Sequence, residues 1–153
     1  MITKNGSILW GKGRLGYANI ADDDMKTVQG SNMGLVVDDC IAGIVFSSTN
    51  PSYYSLAIGE GTNEPQKSDY SMQEITNARV RKSDTITVSY TPDGNPTLTR
   101  TFTSVSSEDV TITELGIYLV VNGYVYLVAR KLIPPRTLTP GETATFSYEI
   151  AFN

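Results

Sequence analysis

The sequence predicts an all-β fold: an antiparallel β-sandwich of about seven to eight strands behind an extended, Gly-rich N-terminal arm. Three observations predict it. Nine Tyr and long Thr-rich stretches favour strands over helices. From Arg79 onward apolar and polar residues alternate with the period of a half-buried strand. Turn signals at Pro92-Asp93-Gly94-Asn95, Asn122-Gly123 and Pro140-Gly141 punctuate that alternation at the spacing of a sandwich. No helix of normal length is evident. A chain of 153 residues is the size of one ordinary domain and long enough to bury a core.

Residues 1–35 read as the arm and 36–153 as the sandwich. The arm holds Gly6, Gly11, Gly13, Gly16, Gly30 and Gly34, an acidic run Asp22-Asp23-Asp24, and apolar residues without clean periodicity. It is expected to pack on a neighbouring copy. Cys40–Phe46 and Tyr53–Ile58 read as strands around the turn 47–52, followed by a polar loop over Gly59–Asp69. Tyr70–Asn77 is a short strand or a single helical turn. In Thr85–Tyr90, Ile86, Val88 and Tyr90 share a face. In the return strand Thr97–Thr103, Leu98 and Phe102 share one that Arg100 interrupts.

Val110–Val121 is the longest predicted strand. Asn122-Gly123 closes it into a hairpin with Tyr124–Lys131, which Pro134 and Pro135 end because proline cannot donate to a ladder. The last strand, Ala144–Phe152, lines up Phe146, Tyr148, Ile150 and Phe152. The hairpin centre is apolar on both faces, with Ile117, Leu119, Val121 and Val128 on one and Tyr118, Val120, Val125 and Leu127 on the other. Such a hairpin needs a second covering layer. Counting back through a two-residue turn sets Glu114 opposite Lys131 and Leu115 opposite Arg130, which makes Glu114 and Lys131 a structural charge pair.

The composition excludes several chemistries. Twelve Lys and Arg against sixteen Asp and Glu leave a net charge of −4, and the basic runs Arg79–Lys82 and Arg130–Arg136 read as solvated strand ends, so no nucleic-acid face is expected. There is no His, which removes Ser-His-Asp and Cys-His nucleophile systems. Cys40 is the lone cysteine and forms neither an internal disulfide nor a zinc site; it reads as an ordinary buried thiol, in keeping with a reducing cytoplasm. The segment from Met1 lacks the apolar core of a signal peptide, and no run approaches the roughly 20 apolar residues of a membrane helix.

Gly11–Gly16 matches G-x-G-x-x-G and Gly6–Lys12 begins a phosphate loop, but Gly13 stands where that loop needs Ser or Thr. Neither motif has a strand before it and a helix after it. Asp22–Asp24 and Asp38-Asp39 offer oxygens for calcium without matching an EF-hand loop, and the solvated-acid reading is preferred. No catalytic, cofactor-binding or metal-binding residue is assigned, and the chain is not expected to be an enzyme.

Four segments carry a resemblance. They are Leu56-Ala57-Ile58-Gly59-Glu60-Gly61-Thr62 with Pro65 and Ser68-Asp69; Thr111-Ile112-Thr113-Glu114-Leu115-Gly116-Ile117-Tyr118; Leu127-Val128-Ala129-Arg130; and Leu138-Thr139-Pro140-Gly141-Glu142. In this order they resemble the "I-A-x-G-x-G-T … P … S-D", "T-x-T-E-x-G-L-y", "l-x-A-R" and "L-x-P-G-E" segments of small β-sandwich structural proteins of tailed bacteriophages. The resemblance spans residues 53–152 and implies a non-enzymatic virion protein, assembled in the host cytoplasm, that binds other virion proteins as a homo-oligomer.

A head-decorating or auxiliary capsid protein is the expected position, because the chain carries no coiled coil or repeat shaft. A tail or fibre adaptor is the alternative. A carbohydrate-binding module on the virion surface is another, with Trp10, Tyr53, Tyr54 and Tyr70 as its aromatics. Trp10, Leu15 and Tyr17 of the arm and Ile117 and Leu119 of the hairpin are the candidate assembly contacts.

Overall fold

The computed structural model describes residues 1, 19–20, 29–30, 35–36, 54–121 and 123–151. Among them all regular structure is β. Strands β1 (Asn19–Ile20) and β2 (Leu35–Val36) pair with each other as a short antiparallel ladder. The sandwich consists of β3 (Tyr54–Gly59), β4 (Val80–Tyr90), β5 (Pro96–Ser104), β6 (Val110–Val121), β7 (Tyr124–Leu138) and β8 (Thr143–Glu149). They form two antiparallel three-stranded sheets, ordered β3-β6-β7 and β4-β5-β8. The predicted strand Cys40–Phe46 and most of the predicted arm lie outside the described residues.

Alternation builds the core. In β5 the residues Leu98, Arg100, Phe102 and Ser104 are buried while the threonines between them turn outward. Leu56, Ile58, Ile117, Leu119, Tyr126 and Val128 of one sheet meet Ile86, Leu98, Phe102, Phe146 and Tyr148 of the other. Phe102 and Phe146 pack edge to face, with ring centroids 5.9 Å apart. Arg100 fits this apolar layer because its Nε donates to the Ser83 carbonyl at 2.7 Å and its Nη1 to Ser55 Oγ at 2.9 Å, bridging β4 to β3. Ile117 and Leu119 are fully buried in this core, so they are not available as assembly contacts.

Turn chemistry follows the sequence. Gly94, Gly123 and Gly141 all take φ near +80°, where a side chain is strained, and each closes a predicted turn. The hairpin is indeed buried on both faces. Ala57, Tyr118 and Leu127 form a second, smaller apolar cluster on the outer side, covered by Met72 from the chain's own β3–β4 connection.

Two register details depart from expectation. The β6–β7 pairing runs regularly from Val121–Tyr124 to Tyr118–Leu127, then skips Val128 and resumes at Ile117–Ala129. Because side chains alternate, this one-residue bulge exchanges the faces of the β7 residues between it and the next irregularity at 133–135. Glu114 therefore lies opposite Leu132, and Lys131 lies opposite Leu115. The expected Glu114–Lys131 pair is not formed. Nor do the prolines end β7, which continues to Leu138. Thr113 alone on β6 faces Ile133, Pro134 and Pro135, so both prolines fall in an irregularity of an edge strand, where a missing donor costs little.

Among the described residues Tyr126 is the largest fully buried side chain, and its hydroxyl has no hydrogen-bond partner there. Tyr126→Phe is expected to stabilise the fold by about 1–2 kcal/mol, because an unsatisfied buried polar group is removed at constant shape. Urea unfolding of the two proteins measures this directly.

Candidate functional site

The chemistry of the fold is concentrated where the β3–β4 connection crosses the outer face of β3-β6-β7. The connection leaves β3 at Gly59 and is tied back to that strand's edge. Glu60 N–H donates to the Gln73 carbonyl at 2.9 Å and Ile75 N–H to the Ile58 carbonyl at 3.0 Å. Between these ties the chain passes over Glu114, which projects from β6 with no exposed surface.

Glu114 is fully engaged. Its Oε1 accepts the backbone N–H of Gly61 at 3.0 Å and of Gln73 at 2.8 Å, and its Oε2 accepts Arg130 Nε at 2.5 Å. Arg130 extends the network across the loop. Its Nη1 donates to Asp69 Oδ2 at 2.7 Å and its Nη2 to the Asn63 carbonyl at 2.9 Å. Asp69 Oδ2 also takes the Gln66 N–H at 2.9 Å, and Thr113 Oγ1 donates to the Gly61 carbonyl at 2.8 Å. Burial alone would lower the Arg130 pKa; its hydrogen bonds to Glu114 and Asp69 outweigh that and raise it, so the guanidinium stays charged. One carboxylate and one guanidinium thus fix both ends and the middle of a loop.

Three glycines make room for this latch. A Cβ on Gly59 would sit 2.5 Å from Glu114 Oε1 and 2.7 Å from the Gln73 carbonyl oxygen, and one on Gly61 would run into the same carboxylate. A Cβ on Gly116 would meet Met72 Sδ, the movable part of a flexible side chain. Gly59→Ala and Gly61→Ala are therefore each expected to cost about 1–3 kcal/mol, and Gly116→Ala less. The order of the three denaturation midpoints tests the geometry.

The arrangement holds the loop; it leaves no oxygen of Glu114 open to a substrate. The loop in turn presents Glu60, Thr62, Asn63, Gln66, Lys67 and the partly exposed Tyr70 on the surface. Gly30 lies against the Tyr70 ring, where a Cβ would come within 3.3 Å of Cε2. Met1 pairs through its backbone with Arg130 on the β7 edge, at 2.7 and 2.9 Å.

The other predicted site residues are placed differently. Lys131 sets its ammonium 4.5 Å from the centroid of the Tyr148 ring instead of pairing with Glu114. Tyr54 is 3% exposed and so cannot serve as a sugar platform. Trp10, Leu15, Tyr17 and Tyr53 lie outside the described residues, as do the acidic runs Asp22–Asp24 and Asp38-Asp39. Among the described residues no cluster of three or more His, Cys, Asp or Glu side chains forms a metal site.

Sequence reasoning missed Arg130 and Asp69 as the partners of Glu114. The available signal was chemical: a carboxylate inside an apolar strand calls for a planar, multidentate cation, and Arg supplies this where Lys does not. No protein-family model, curated protein or solved structure matches the chain significantly.

Proposed function

We propose that the chain is a structural protein of a tailed-phage particle, a head-decorating or auxiliary capsid protein that works through protein–protein contacts. The observation that carries this reading is a convergence. Residues from three of the four segments that resemble phage structural domains meet in one network: Gly59, Gly61 and Asp69 from the first, Glu114 from the second, and Arg130 from the third. The fourth forms the turn into β8, where the Glu142 carboxylate accepts the Thr139 N–H at 2.9 Å and Arg136 Nη2 at 2.5 Å.

Residues far apart in sequence thus serve one purpose, the rigid display of a surface loop on a sandwich. Display of this kind suits a protein whose task is to be held by its neighbours, since a pre-ordered loop gives up little entropy on docking.

Particles purified from the phage that encodes the chain provide the test. Mass spectrometry should find the 153-residue chain in fixed proportion to the major capsid protein. An antibody against the folded sandwich should decorate heads. Label confined to the tail would move the protein to a tail or fibre-adaptor position. Absence of the expressed chain from purified particles would overturn the proposal.

A further inference from the structure

Among the described residues the two sheets have four outer edges, and three of them are protected. The end of β3 is covered by residues 73–75. β7 carries Met1 at Arg130 and two prolines farther along. β4 is broken by an irregularity between Lys82 and Ile86 and carries Arg81, Lys82 and Asp84 there. Bulges, prolines, charges and covering segments are the usual means of keeping a sheet edge from pairing.

Among the described residues β8 has no bulge, proline or covering segment, and its single charge, Glu149, stands at its last position. Its pairing with β5 is unbroken from Thr143 to Glu149, without proline, lysine or bulge. Ser104 N–H donates to the Glu142 carbonyl and Ile150 N–H to the Pro96 carbonyl, so the even-numbered residues of this strand point their backbone groups at β5. By alternation, Thr143, Thr145 and Ser147 point theirs away from the sheet. On that edge Lys131 Nζ reaches the Ser147 carbonyl only at 3.5 Å, the limit of a hydrogen bond.

We propose that β8 is the pairing edge for a second copy of this chain, antiparallel about a two-fold axis at Thr145. This deepens the assembly reading above and rests on it for its purpose. The edge is self-complementary in that register: Thr145 meets Thr145 of the second copy, and Thr143 meets Ser147. Hydroxyl pairs of this kind already line the β5–β8 pairing, with Thr99 to Ser147 at 2.8 Å, Thr101 to Thr145 at 3.0 Å and Thr103 to Thr143 at 2.8 Å. Each hydroxyl keeps capacity for a further partner, so the ladder extends across the axis.

An isologous contact also uses up both edges and closes, which prevents the open-ended strand addition that an unguarded edge invites. A single seven-residue edge falls below the roughly 1,000 Å² of a firm interface, so the dimer is weak in solution and strengthened by avidity on a particle.

Sedimentation equilibrium of the full chain over a wide concentration range tests this with two variants. Thr145→Pro removes one outward N–H and leaves the inward ladder intact. Thr145→Lys sets like charges together at the axis and keeps the proposal testable should the proline variant fail to fold. A concentration-dependent dimer is expected, with Kd raised at least about tenfold in both variants and the circular dichroism unchanged. A wild-type monomer at every concentration would overturn the edge contact. An oligomer unaffected by either variant would overturn it too while leaving the assembly reading standing, whereas absence from purified particles would overturn only the latter.

Discussion

Arg130→Ala is expected to destabilise the fold by about 3–5 kcal/mol, the loss seen when one partner of a buried ion pair is removed. The reason is the state of what remains. Glu114 would stay fully buried with two backbone N–H donors and no counter-charge, and the Asp69 carboxylate and Asn63 carbonyl would lose their tether to the sheet. Against a total stability of about 5–15 kcal/mol for a typical domain, that is a large share.

Glu114→Gln separates the two parts of the latch. Its amide oxygen still accepts from Gly61 and Gln73, so only the charge is lost, and a smaller penalty of about 1–3 kcal/mol is expected. Arg130→Lys should fall nearer to Ala than to wild type, because an ammonium cannot span Glu114, Asp69 and Asn63 at once. Urea unfolding gives the energies, and hydrogen exchange of residues 60–74 gives their location. A penalty under about 1 kcal/mol for Arg130→Ala would show that the loop is held by other means.

How far the sequence discloses this arrangement depends on the range of the interaction. The sandwich was legible because its signals are local. Alternation in Pro96–Ser104, the Asp93-Gly94 turn and the Asn122-Gly123 turn each need only a few neighbouring residues to be read. The division of the hairpin into two apolar faces was legible for the same reason, and Ile117, Leu119 and Val128 do separate from Tyr118 and Leu127.

The latch was not legible, because it turns on a single residue of register. Val128 marks a bulge that no local pattern announces, and that one insertion moves Arg130 onto the face of Glu114 and takes Lys131 off it. The two prolines misled for a related reason: their rule assumes a regular ladder, and they sit where the ladder is irregular. Burial was misjudged at Ile117 and Leu119, since apolar strand residues read alike whether they face a second sheet or a second subunit.

Alkaline pH is expected to dismantle the fold cooperatively, through three tyrosines in the sandwich. Burial raises Tyr148 well above the ordinary tyrosine range. Burial, reinforced by the charge of Glu74, does the same for Tyr118 against the opposing hydrogen bond at Met72. Tyr126 is pushed up to about 12, mainly by burial. In the unfolded chain all three titrate near the ordinary tyrosine value of about 10.

Above pH 10 the unfolded state therefore releases protons that the native state retains, and stability falls as pH rises. The contribution is complete below about pH 10 and is lost progressively toward the higher native values. Each ring contributes a slope of about 1.4 kcal/mol per pH unit, so the three together approach about 4 kcal/mol per unit. One to two pH units are then enough to consume the stability of an ordinary domain. Urea midpoints should fall steeply beyond about pH 10, with the phenolate absorbance of the buried rings appearing together with loss of strand signal. Tyr126→Phe should reduce the slope by about a third, since one of three titrating rings is gone. Strand structure that survives at about pH 12 with phenolate absorbance already developed would mean that these rings release their protons within the folded state, and the sandwich core would then be more open than its packing implies; survival without that absorbance would mean that the fold is more stable than these tyrosines can offset.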